Sequence, residues 1–193
     1  MSPPRGLDRA RRVLASGWLA AVFGTIYLVS QIVIANIADH VGPEEILALQ
    51  TTGFSASDYR AAFARWDAAG TMPFYRAHFV FDDLHWLWYA IALGALLALG
   101  LDAARLSRRW NAVLLMPFAA GLLDCLENGL QHVFLLDPGY VTIVDPLPAM
   151  STIASITKWV LALASTVLVA AFFVRAATLR RTAPPAGVAS AKR

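Results

Sequence analysis

GLLDCLENGLQH, residues 121–132, sets Asp124, Glu127, Asn128 and Gln131 into a run that is otherwise almost wholly apolar from Ala112 to Leu136. At 100° per residue, the spacings i, i+3, i+4 and i+7 gather all four side chains on one face of a helix. An ionised carboxylate in hydrocarbon costs about 2.5–3.5 kcal/mol even on the most lenient insertion scale. Such a stripe requires partners on other helices, and the remaining chain is read for them.

Hydrophobic residues fill 58% of the 193 positions and charged ones 15%, against about 45–50% and about 25% in soluble domains. With a mean hydropathy of +0.57, the chain reads as a multi-pass membrane protein. Its fold class is all-α, a four-transmembrane-helix bundle with a partly helical loop between the first two spans. The spans are expected at 13–37, 79–101, 111–136 and 150–174, each near the ~20 residues that cross a bilayer. Residues 1–12 read as a flexible cytoplasmic lead-in and 175–193 as a basic, disordered tail. The first span is too long for a signal-peptide core, which runs about 7–15 residues, and no A-x-A site follows it. Its Thr25, Gln31 and Asn36 suit hydrogen bonds between helices.

Within the loop 38–78, Pro43-Glu44-Glu45 opens a short helix, since proline and acids suit a first turn. Thr52–Ser55 breaks it. Ser57 is expected to cap a second helix over 58–69, closed by Gly70. Tyr59, Phe63 and Trp66 then form one apolar stripe, a lid or collar on the membrane surface or the bundle mouth. Ala90, Gly94 and Ala98 make a small-residue row for close packing on span two. Pro117 is expected to kink span three. Trp86, Trp88, Trp110 and Trp159 read mainly as interfacial belt residues.

Basic residues cluster in the lead-in (Arg5, Arg9, Arg11, Arg12), the 102–110 connection (Arg105, Arg108, Arg109) and the tail (Arg175, Arg180, Arg181, Lys192, Arg193). Only Arg60, Arg65 and Arg76 fall on the opposite side. The positive-inside rule puts both termini in the cytoplasm. The net charge of +3 is then a topology signal, and nucleic acid is not an expected partner.

Depth, at 1.5 Å per residue, levels Lys158 of span four with Glu127, so an ion pair between them is the leading expected contact. Span two contributes His78, Asp82, His85 and Tyr89 on one stripe, with Asp83 turned away to the interface. These residues predict a polar chamber in the outer half of the membrane, between spans two, three and four and roofed by the first loop. Cys125, the lone cysteine, forbids an internal disulfide and reads as a packing residue.

The motifs Phe81-Asp82 to Tyr89, Asp124-x-x-Glu127-Asn128 and Lys158-Trp159 resemble an uncharacterised family of small bacterial four-helix integral membrane proteins. The likeness spans about 13–175. It implies the fold and the bacterial inner membrane, and no activity. Trp86 stands where that pattern has proline, and Asp83 and His85 are additions to it.

Three functions compete. The leading one is a pocket for a small polar ligand, cation or lipid headgroup, lined by Asp82, Tyr89, Asp124, Glu127, Asn128, Gln131 and Lys158, with His78, His85 and His132 secondary. The second is an intramembrane acid–base enzyme acting on a lipid or isoprenoid, with Asp124 and Glu127 held in different protonation states. The third is a structural subunit whose ion pairs fix helix register. No cofactor is expected. Without H-E-x-x-H or Glu-x-x-His signatures, no metal is assigned to the histidines. Expected partners are the bilayer and a small-molecule or lipid ligand.

Overall fold

The computed structural model describes residues 5–182, all helix and connection. In order these are α1 (Arg5–Leu14), α2 (Gly17–Ala38), α3 (Pro43–Thr52), α4 (Ala56–Ala68), α5 (Met72–Ala103), a 3₁₀ segment (Arg108–Leu114), α6 (Leu115–Phe134) and α7 (Leu147–Arg181). Four stretches are long and apolar enough to cross a membrane: α2, α5, the 3₁₀ segment joined to α6, and α7. α2 packs along α5, α5 touches α6 and α7, and α6 lies against α7. α2 and α7 make at most glancing contact.

Several expected boundaries move, each for a local reason. The lead-in is helical from Arg5, and Ser16 divides it from α2 by accepting the Leu19 amide at 3.4 Å as an N-cap. Arg11 ties α1 to the far end of α5: it pairs with Asp102 at 2.6 Å and donates to Asn111 Oδ1 at 2.9 Å. Residues 1–4 lie outside the described residues. Span two starts at Met72, with Pro73 in the first turn where a missing N–H costs nothing. Span four continues through Arg181, so the expected disorder from 175 is replaced by helix, and 183–193 lie outside the described residues. Pro117 is the third residue of α6, directly after the 3₁₀ segment, and so stands at a helix junction and not in mid-span.

The loop between α2 and α5 forms a collar. Ser55, not Ser57, caps α4, in a capping box with Asp58. Gly70, at φ +71°, closes the helix with the Thr71 amide reaching back to the Trp66 carbonyl at 2.8 Å, a left-handed turn that glycine adopts without strain. Tyr59, Phe63 and Trp66 are fully or almost fully buried against Tyr75, Phe79, Phe134, Tyr140 and Ile143. The stripe thus plugs the bundle mouth between α5, α6 and the 135–146 connection. Arg60 binds the carbonyls of Tyr140 and Ile143, at 3.3 and 2.7 Å, and Arg76 that of Leu135, at 2.9 Å. At the opposite end Leu97, Leu101, Leu114 and Phe172 make an apolar floor.

Close approach explains the small residues. A Cβ on Gly94 would lie 3.1 Å from the Phe118 ring, and one on Gly121 only 2.9 Å from the Trp86 ring. Trp86 packs against Gly121 and Trp88 stacks on Phe23 at 5.9 Å, both partly buried between helices. Gly121→Ala should therefore push the Trp86 ring aside and cost about 1–3 kcal/mol, read as a lower unfolding temperature in detergent.

The Tyr140 hydroxyl donates to the Asp67 carboxylate. Burial first, then that acceptor, push the hydroxyl up to about 12 from 10.0. A raised folded-state value favours the protonated form. Its stabilising contribution is complete below pH 10 and disappears as pH rises through about 12. The difference in unfolding temperature between the native chain and Tyr140→Phe should shrink across that window.

Candidate functional site

The buried stripe of α6 is the one its spacing requires: Asp124, Glu127, Asn128 and Gln131 are each at most 4% exposed. Leu122 and Leu126 face outward, as does Cys125, which is exposed and not a packing residue. α7 presents Ser151, Ser155, Lys158 and Ser165 on its own buried face. Where the two faces meet, Lys158 Nζ lies 2.5 Å from Asp124 Oδ1 and 2.7 Å from Glu127 Oε2. The lysine thus bridges two acids, where depth matching alone pairs it with one. Glu127 Oε1, Asn128 Nδ2 and Ser155 Oγ are buried beside this centre with no hydrogen-bond partner among the described residues.

Gln131 does something else. Its Nε2 donates to the Tyr59 hydroxyl and to Ser151 Oγ, both at 3.0 Å, while its Oε1 accepts from the Tyr75 hydroxyl at 2.9 Å. One amide thus joins α4, α5, α6 and α7 under the collar, and the space expected to be a chamber between spans two, three and four is filled there. Burial, offset by hydrogen bonds to Ser151, Thr152 and Gln131, raises the Tyr59 hydroxyl above its ordinary value, keeping it a neutral donor.

The open space lies on the other side of Lys158. A cavity of about 460 Å³ runs between α2, α5 and α7, closed at one end by Ile46 and Gln50 of α3. Asp82, His78, His85 and Tyr89 from α5, Asp124 from α6, and Lys158 and Trp159 from α7 line it. Glu127, Asn128 and Gln131 do not. Asp82 is partly buried and lines this space without a hydrogen bond or ion pair to any described residue. His132, expected with His78 and His85 as a secondary lining residue, instead sits on the outer surface, its Nε2 3.0 Å from both Asp83 oxygens. Among the described residues no group of three or more His, Cys, Asp and Glu side chains is arranged to hold a metal ion.

The first span enters the site as well, through Gln31, expected only to bond another helix, and through residues the sequence did not single out. Tyr27, Gln31, Ile34 and Ala38 form the α2 wall. Ser30 Oγ is 2.7 Å from His85 Nδ1 and donates to the Tyr27 carbonyl at 3.0 Å. With its one proton so placed, the serine accepts from the ring, and His85 keeps Nε2 as an acceptor. His78 is fixed likewise, Nδ1 donating to the Tyr75 carbonyl. The signal was available: Tyr27, Ser30, Gln31, Ile34 and Ala38 follow helical spacing along one face. Asn36 bonds its own Ile32 carbonyl at 2.6 Å, and Thr25 is exposed, so neither joins helices.

Fold and site together define a helical membrane bundle with four apolar helices, a buried lysine–dicarboxylate centre and an adjoining partly polar cavity. Compared with protein-family models, curated proteins and solved structures, the chain matches none of them.

Removing one member of a buried ionic group leaves uncompensated charge, whereas removing all members does not. Lys158→Met alone should lower stability by about 3–5 kcal/mol. Combining it with Asp124→Asn and Glu127→Gln should recover most of that loss, as measured by denaturant unfolding in micelles.

Proposed function

We propose that this chain is a multi-pass inner-membrane protein with both termini in the cytoplasm, and that it binds a small polar ligand, cation or lipid headgroup in the cavity beside Lys158. The orientation rests on the arginines gathered at the α1, 105–109 and Arg175–Arg181 end. The bacterial membrane rests on the resemblance carried by the Asp82–Tyr89, Asp124–Asn128 and Lys158-Trp159 motifs.

The observation that carries the binding reading is an unpartnered Asp82 on the wall of a 460 Å³ space, a volume in the usual range of small-molecule sites, about 300–1,000 Å³. A solely structural bundle accounts for Gln131 and Glu127, whose stripes lock α6 to α7. It gives no reason to keep a charged side chain without a partner beside a void, since an intramembrane ionisable group is retained at a cost.

Native mass spectrometry of the full chain extracted in maltoside micelles tests this. A small molecule near one copy per chain is expected, and it should disappear in Ala162→Trp, which fills the cavity while leaving the unfolding temperature unchanged or higher. A chain that arrives empty from its own membrane and takes up no added lipid, with Ala162→Trp indistinguishable from the native chain, would leave the structural reading in its place.

A further inference from the structure

Two properties of the cavity narrow what it takes, granted the binding reading above. The first is its charge. Among the described residues Lys158 is the only lysine or arginine on the wall, and its ammonium is already engaged by Asp124 and Glu127 at 2.5 and 2.7 Å. One positive charge faces two negative ones there, and Asp82 adds a third carboxylate. His78 and His85, both donating through Nδ1 to protein acceptors, have only Nε2 lone pairs left to offer when neutral. The wall is therefore rich in acceptors and holds no cation free for a phosphate or sulfate. Its aromatic residues, Tyr27 and Tyr89 beside Trp159, which already has Lys158 Nζ 5.8 Å from its ring centre, suit a cation as well.

The second property is its shape. α2 and α7 scarcely touch, and the cavity occupies the gap between them, with Ile34, Leu93, Ala162 and Leu163 as apolar wall. On the α7 rim Trp159 and Leu163 are 51% and 66% exposed, on a helix long and apolar enough to cross a membrane. A polar recess thus continues into an apolar slot open at the flank of the bundle, the side that a bilayer would cover.

We infer that the cavity takes an amphiphile with an ammonium headgroup and an apolar chain, admitted sideways from the bilayer between α2 and α7, with Asp82 as the counter-charge. The headgroup sits among Asp82, His85 and Tyr89, and the chain lies against Leu93 and Ala162.

Four probes test this on the full chain in maltoside micelles, each titrated at low mole fraction and read by native mass spectrometry. They are dodecyltrimethylammonium, dodecylphosphocholine, dodecyl sulfate and tetramethylammonium. Dodecyltrimethylammonium should bind at least about tenfold more tightly than dodecyl sulfate, a modest share of the Coulomb difference between attraction and repulsion at one carboxylate. Asp82→Asn should erase that preference and Asp82→Glu restore it, with unfolding temperatures unchanged because Asp82 makes no hydrogen bond or ion pair to any described residue. Phosphocholine binding as well as the simple ammonium would assign the site to a phospholipid headgroup. Markedly weaker phosphocholine binding would assign it to a free cationic amphiphile. Both outcomes keep the ammonium class. Equal binding of dodecyl sulfate, or indifference to Asp82→Asn, would overturn the headgroup assignment and leave the pocket standing. Tetramethylammonium binding as tightly as the dodecyl probe would overturn the sideways-entering chain. If no probe bound and Ala162→Trp were also silent, the pocket itself would be lost.

Discussion

One ammonium held between two carboxylates, in the middle of a bundle that has almost no other charge, organises this molecule. In a low-dielectric interior neither acid of α6 is tolerable alone, and neither is Lys158 of α7. Their distances of 2.5 and 2.7 Å leave little latitude in the register of α6 against α7. The neighbouring polar positions follow from that alignment. Ser151 stands where Gln131 can reach it, and Ser155 and Asn128 are carried into the interior with polar atoms unmet. Apolar packing alone would leave the two helices free to slide or rotate. The ionic centre contributes specificity more than stability.

On either side of that centre the bundle has different character. Towards α4 it is tightly filled: aromatic rings meet at centroid distances between 4.6 and 5.9 Å around Phe63 and Tyr75, and Gln131 spends every hydrogen-bonding group it directs inward. Towards α2 it is open, because α2 packs closely along α5 and scarcely meets α7. α2 leans on α5 through small and aromatic side chains and the Ser30–His85 contact, and the space behind Lys158 stays open. Rigid support on one face and an accessible recess on the other is the arrangement a binding site requires, since the wall is held by elements that the ligand does not have to order.

Much of this was legible in residues alone. Four carbonyl- or carboxyl-bearing side chains at 124, 127, 128 and 131 could only face inward, and the single intramembrane lysine had to meet them. Pro43, Gly53 and Gly70 punctuated the collar at positions set by backbone chemistry. Three kinds of information were not legible. Ser55 and Ser57 are both plausible caps, and only the Asp58 side chain folding back to Ser55 separates them. Pro117 reads as a kink or as a first-turn residue depending on where the helix begins, which the Arg108–Leu114 3₁₀ turn decides. Most consequentially, which side of Lys158 is filled depends on how α4 seats against Phe134 and Tyr140. Depth arithmetic gives heights along the helices and no angles around them, so it merged Gln131 with the cavity and missed α2 altogether.

The short link between α6 and α7, residues 135–146, bears on how the chain enters a bilayer. Emerging alone, α6 would carry two carboxylates and α7 an ammonium, each an obstacle of about 2.5–3.5 kcal/mol at mid-membrane. With so few residues between them, the two segments can cross as one hairpin, their opposite charges neutralised before lipid surrounds them. α2, whose polar groups are a few hydroxyls and amides, needs no such companion and can wait in the bilayer until α5 is made. Where the acids and the lysine fall along the chain thus marks α6 and α7 as the two spans suited to enter together.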